Sequence, residues 1–247
     1  IVSFINKSLE MGFDGFMINS NSVGYHVVSN YKFNISKEIH YSIPYPHKYS
    51  NMVNENGMLS LLIHLIQNTS TFKNIIAGSK LLFTQNLKSL TSLALNLEVP
   101  KNLKKGSYVY LQNIITDLLI GLGREDIIIE FIRSVQKTGY KPGIITLNPI
   151  ILDRLLISNC HGNNLRDLIV CFNINKIGFN VFPSQKKVED YIKLKHSYKL
   201  MGMSIFASGG SEIVDSINYI KKFDLDYVVF GSSNIDNIKN NLGLLSS

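Results

Sequence analysis

The sequence predicts an α/β chain folded as a (β/α)8 TIM barrel that lacks its first strand, and three observations support this. Short apolar runs alternate with amphipathic stretches along most of the chain, the pattern of a parallel sheet covered by helices. The 247 residues match the length of one such barrel. The pattern also opens at Ile1 with a helical stretch rather than a strand. Residues 1–247 therefore read as a single, N-terminally truncated barrel domain. The rival architecture for the same alternation is a doubly wound open sheet.

The expected elements follow in order. A helix over Val2–Met11 leads to a strand over Gly15–Ile18 that stops at Asn19-Ser20. A strand over Ile39–Ile43 stops at Pro44-Tyr45-Pro46, and helices are expected over Met58–Gln67 and Leu87–Leu97. The strand over Ser107–Leu111 stops at Gln112-Asn113, with helices over Ile114–Ile120 and Glu125–Lys137 behind it. Gly143–Leu147 stops at Asn148-Pro149 and precedes a helix over Ile150–Ile157. Leu168–Phe172 is the next strand, and Lys186–Leu200 the next helix. Met203–Ala207 is read as a strand ending at Ser208-Gly209-Gly210, before a helix with Ile213, Val214, Ile217 and Ile220 on one face. Tyr227–Phe230 is read as the last strand, ending at Gly231-Ser232-Ser233, before a helix carrying Ile235, Ile238, Leu242 and Leu245. Ser233 and Asp236 have the spacing of a capping box there. Two stretches fit less well. Asn68–Thr84 has no clear period, and Ile177–Phe182 resembles a strand that follows its predecessor too closely for a crossover helix. The second is expected as an insertion over the barrel mouth.

Composition narrows the functional classes. Hydrophobic residues make up 45% and charged residues 17%, enough apolar content for a large core. No apolar run approaches the roughly 18 residues that a membrane span needs, and no signal peptide is visible. Cys160 and Cys171 form no CxxC pair and no metal-ligand spacing; they read as reduced thiols of a cytoplasmic protein. The net charge is +7, but the lysines are scattered. The one dense group, Lys101, Lys104 and Lys105, falls in a turn without the aromatic platforms of a nucleic-acid surface. Neither nucleic acid nor membrane is expected as a partner, no metal site is expected, and oligomeric state has no signal.

In a barrel, chemistry sits where strands end and lead into helices. The strongest pair of such turns is Ser208-Gly209-Gly210-Ser211 with Gly231-Ser232-Ser233. Glycine lets a backbone approach an anion closely, and free N–H groups at a helix start bind phosphate. The same residues also serve as ordinary turn and cap residues. Asn19, Gln112, Asn148 and Asn173 stand at other strand ends and are the expected substrate contacts. Catalytic candidates are few. His40 lies within a strand, Asp117 about a helical turn beyond Gln112, and Lys176 beyond the Leu168–Phe172 strand, where a desolvated lysine could form a Schiff base. His47, with Tyr45 and Tyr49, lies in a long loop that either covers a ligand or packs on the rim.

The Ser-Gly-Gly and Gly-Ser-Ser turns resemble those of the phosphate-binding (β/α)8-barrel superfamily. Three stretches are more closely similar to a group of uncharacterised archaeal TIM-barrel proteins: Ile177 to Ser184, Ser204 to Gly210, and Val228 to Ser233. Gln112 to Asp117 is a fourth, weaker match. The resemblance implies a barrel and no established activity. The leading expectation is binding of a small phosphorylated metabolite by a lyase, isomerase or aldolase, with no cofactor. The alternatives are a barrel that binds flavin mononucleotide (FMN), whose phosphate suits the same turns, and a non-catalytic ligand-binding or scaffold barrel.

Overall fold

The computed structural model describes residues 1–31, 37–44, 88–159 and 165–246. The strands are β1 (Gly15–Asn19), β2 (Glu38–Ile43), β3 (Tyr108–Leu111), β4 (Lys141–Thr146), β5 (Ile169–Asn173), β6 (Lys199–Met203) and β7 (Tyr227–Val228). They form one seven-stranded sheet whose spatial order is the chain order. The pairs β2–β3, β4–β5, β5–β6 and β6–β7 are parallel. The helices are α1 (Val2–Glu10), α2 (Ser22–Asn30), α3 (Lys88–Glu98), α4 (Asn113–Gly121), α5 (Glu125–Lys137), α6 (Pro149–Asn159), α7 (Gln185–Ile192), α8 (Ile213–Ile220) and α9 (Ile235–Ser246). This is the predicted alternation of strand and helix. The chain divides into two compact units.

One unit comprises residues 17–34 and 39–142. Its most strongly patterned element is α5, which buries Ile127, Ile128, Ile129, Phe131, Ile132 and Val135 along one side. Glu125 and Asp126 at its start and Lys137 at its end each complement the helix dipole. Every residue of β3 is buried, as expected of a parallel strand covered on both faces. The helix α2 was not expected from the sequence. Asn21 caps it by accepting from the Gly24 N–H at 2.7 Å. Gly24 is required because a Cβ there would lie 1.9 Å from the Asn19 carbonyl oxygen.

The other unit comprises residues 1–16, 35–38 and 143–247. The five residues of β5 are all buried, and β5 pairs with β4 on one side and β6 on the other. Here the expected boundaries need correction. The last part of the predicted Lys186–Leu200 helix is instead β6, since α7 stops at Ile192 and the strand begins at Lys199. The predicted Met203–Ala207 strand is mostly a turn, because Ser204 and Ala207 have φ of 57° and 49°, which a strand excludes. Gly202 of β6 is packed tightly: a Cβ there would come within 2.9 Å of Ile174 Cγ2 and 3.0 Å of Leu225 Cδ1. The last strand covers only Tyr227–Val228 of the expected Tyr227–Phe230. Ile177–Phe182 is not a strand but a series of turns, held by Asn175, whose side chain bonds both the N–H and the C=O of Phe179 at 2.8 Å.

Within this unit the ring of Phe13, just before β1, meets that of Phe230, just after β7, with centroids 5.8 Å apart. The Tyr227 hydroxyl also lies 3.5 Å from Glu38 Oε1. The expected helix over Met58–Gln67, the Asn68–Thr84 stretch, the His47 loop and Cys160 lie outside the described residues. Cys171 is a free, fully buried cysteine whose thiol burial pushes far up, so it is held as the unreactive thiol. No helix among the described residues is long and apolar enough to cross a membrane.

Candidate functional site

Strand ends in the first unit carry a side-chain cluster. The alternation of a strand puts His40 and Ser42 on one face of β2. Register sets them beside Tyr108 and Tyr110 of β3. His40 Nδ1 lies 2.8 Å from the Tyr110 hydroxyl, and the imidazole stacks on Tyr108 with centroids 4.8 Å apart. Lys141 Nζ stands 5.2 Å from the centre of the Tyr108 ring. All three aromatic side chains are buried. His40 is thus a core residue with a polar partner and not a group open to a ligand.

One step toward the strand ends, three polar side chains close a ring. The Ser42 hydroxyl donates to Asn19 Oδ1 at 2.5 Å. The Gln112 amide donates to Ser42 Oγ at 3.2 Å and approaches Asn19 Oδ1 at 3.4 Å. The structure therefore brings together the two predicted substrate contacts Asn19 and Gln112. Ser42, which joins them, was missed. Its signal was the two-residue period that places it on the same face as His40. Gln112 stands at the start of α4 without making a side-chain cap there. Asp117 lies half-exposed farther along α4.

Strand ends in the second unit are built from backbone. After β6, Ser204, Ala207, Ser208 and Gly209 all have positive φ, and Ser208 to Gly210 are exposed. The Gly209 N–H donates to the Phe206 carbonyl and the Gly210 N–H to the Ala207 carbonyl. These two groups, expected as anion donors, are consumed by the turn itself. The N–H groups of Ser211 and Ser233 have no acceptor among the described residues. The rings of Phe206 and Phe230 touch edge to face, 5.5 Å apart, which sets the turns after β6 and β7 side by side. The capping box is also corrected. The helix α9 begins at Ile235, and Asn234 accepts from the Asp236 N–H at 2.8 Å. Ser232 Oγ accepts from the Asn234 N–H at 3.1 Å, and Gly231 leaves open space where a side chain would be.

Lys176 reaches the first turn of α8, where its ammonium lies 2.5 Å from Asp215 Oδ2. Its side chain is 47% exposed. Asn148 accepts from the Ile151 N–H at 3.3 Å and so caps α6. Asn173 is buried at the end of β5, where its amide donates to the Asn180 carbonyl at 2.8 Å. Its Oδ1 has no partner among the described residues.

A second buried polar group in this unit was not foreseen. Tyr198 donates to Asp153 Oδ1 at 2.5 Å and lies 3.1 Å from the Tyr191 hydroxyl. His196 Nε2 bonds the Tyr191 carbonyl at 2.9 Å. Burial, more than the neighbouring Tyr191 and Asp153, pushes the Tyr198 phenol far above its ordinary range. These groups flank the start of β6, the end opposite the expected chemistry. No group of three or more His, Cys, Asp or Glu side chains suited to a metal ion occurs among the described residues. No protein-family model matches the chain, and no curated protein or solved structure matches it.

Proposed function

We propose that the chain is the greater part of a (β/α)8 barrel that binds a small phosphorylated metabolite at the turns after β6 and β7. The observation that carries this reading is the Phe206–Phe230 contact, which sets side by side two turns with the unengaged N–H groups of Ser211 and Ser233. Positive helix ends behind them favour an anion. Asp215 and Asp236 in the first turns of α8 and α9 oppose it, and the Lys176 pairing offsets the former. The barrel reading rests on the sequential strand order and on the approach of Phe13 to Phe230.

A second reading, binding without turnover, is favoured by the pairing of Lys176 with Asp215 and the burial of His40. The lyase, isomerase or aldolase chemistry needs an ionisable group presented to substrate; His40 is buried and Lys176 is paired with Asp215. An FMN-binding barrel would use the same turns.

Calorimetric titration with inorganic phosphate and with small sugar phosphates tests the proposal. The wild type should bind, and Gly210→Asp should not. A Cβ there already lies 3.1 Å from the Ala207 carbonyl oxygen, and the carboxylate adds repulsion. Unchanged affinity in a folded Gly210→Asp protein would reduce these segments to plain turns. Visible flavin absorbance in the purified protein would select FMN.

A further inference from the structure

The ring of Asn19, Ser42 and Gln112 has a direction, and the direction fixes what it shows to solvent. Ser42 is fully buried and has one proton to give. It gives that proton to Asn19 Oδ1 and accepts from the Gln112 amide. Asn19 therefore turns its oxygen inward and leaves its NH2 group outward. Gln112 turns its NH2 inward and leaves its oxygen outward. Neither outward group has a partner among the described residues. Carboxamide oxygen and nitrogen are assigned from the network, but reversing the ring does not change the outcome. If Asn19 donated to Ser42 and Ser42 to Gln112, the outward pair would again be one donor and one acceptor. Asn19 is exposed and Gln112 half-exposed, so both outward groups can be reached.

Two further details support a role beyond local structure. Gln112 stands at the N-cap position of α4, yet its side chain makes no cap bond and reaches back to β1 and β2 instead. Asn19 is held in place from behind, since its carbonyl oxygen packs against Gly24 of α2.

We infer that Asn19, Ser42 and Gln112 form a recognition site for the cis-amide edge of a small ligand, such as a lactam, whose adjacent N–H and C=O complement the outward acceptor and donor. A buried connector that fixes both amides gives discrimination, because a ligand lacking the donor leaves a preorganised acceptor unpaired. The inference stands on this unit alone and does not depend on phosphate binding.

The test uses 2-pyridone and 1-methyl-2-pyridone, which differ in the N–H. The full chain is titrated with each while the side-chain NH2 resonances of Asn19 and Gln112 are followed by NMR. The expected result is saturable movement of both resonances with 2-pyridone and at least about tenfold weaker binding of the methylated probe. Ser42→Ala should level the two affinities, since it frees both amides to rotate. Asn19→Asp keeps the shape, turns the outward donor into an acceptor, and should exchange 2-pyridone binding for binding of acetamidinium, which offers two adjacent donors. Equal response to both pyridones, no movement of the two resonances, or retained pyridone preference in Asn19→Asp would each overturn the inference.

Discussion

The two sets of strand ends solve the same problem with different parts. In the unit containing β3, the polar surface at the strand ends is made by side chains, and a buried serine joins two amides from neighbouring elements. In the unit containing β5 and β6, it is made by backbone: three consecutive residues with positive φ, two N–H groups bonded back into the turn, and two left for other use. A side-chain site is tuned by changing one residue and keeps its fold. A backbone site is tuned by changing φ, and its donors are shared between holding the turn and holding a ligand. The difference explains why the Ser-Gly-Gly segment reads so clearly in sequence and yet yields fewer donors than its glycines suggest.

The largest expected effect sets the baseline for that comparison. Ile128 of α5 is fully buried, and Ile128→Ala should cost about 2–5 kcal/mol in urea unfolding. A loss below about 1 kcal/mol would mean that α5 does not anchor the unit. Ser42→Ala should cost less, about 1 kcal/mol, for the hydrogen bonds it removes. A cost near that of Ile128→Ala would show that the ring is a structural keystone and not a presentation device.

Caps sharpen the comparison on the backbone side. Asn234→Ala should lose about 1 kcal/mol, because its side chain satisfies the Asp236 N–H. Ser233→Ala should be neutral in stability and should leave phosphate binding nearly unchanged, because alanine keeps the backbone N–H that faces the anion. Matched losses for both would return the cap to Ser233.

The smallest effect is one of pH. Tyr219 is pushed up to about 12, chiefly by burial, while its hydroxyl bonds Gln185 and Glu189. The folded value exceeds the unfolded one, so its contribution is complete below pH about 10 and is lost as pH rises from there toward 12. Chemical denaturation across that window should show falling stability, with a shallower fall in Tyr219→Phe. The same slope in both proteins would assign the fall to Tyr41, Tyr191 and Tyr198, whose phenols burial also raises.

The alternation of elements was legible in the sequence because burial on both faces demands continuous apolar runs. Gly143–Leu147 and Leu168–Phe172 mark β4 and β5 to within two residues, and Glu125–Lys137 was found to the residue. The strand β6 was displaced because Lys193, Lys195 and Lys199 make its approach look like a polar helix face, while Ser204 to Ala207 look apolar enough for a strand. Only the observed backbone, with positive φ at Ser204 and Ala207, separates the two. The helix α2 escaped notice because Gly24, Val23, Val27 and Val28 are poor helix formers, and its formation depends on the Asn21 cap and on packing against Asn19.

What the sequence determined by itself was therefore local: hydrophobic period, turn chemistry and the polar character of each strand end. These properties are set by residues adjacent in the chain. The tertiary structure decided which polar groups are spent and which are presented. Asn19, Ser42 and Gln112 are separated by 23 and 70 residues, and only the side-by-side pairing of β1, β2 and β3 makes them neighbours. Whether a Gly210 N–H faces a ligand or the Ala207 carbonyl is likewise fixed by the fold of the turn, because a hydrogen-bond donor has one proton and the nearer, better-aligned acceptor takes it.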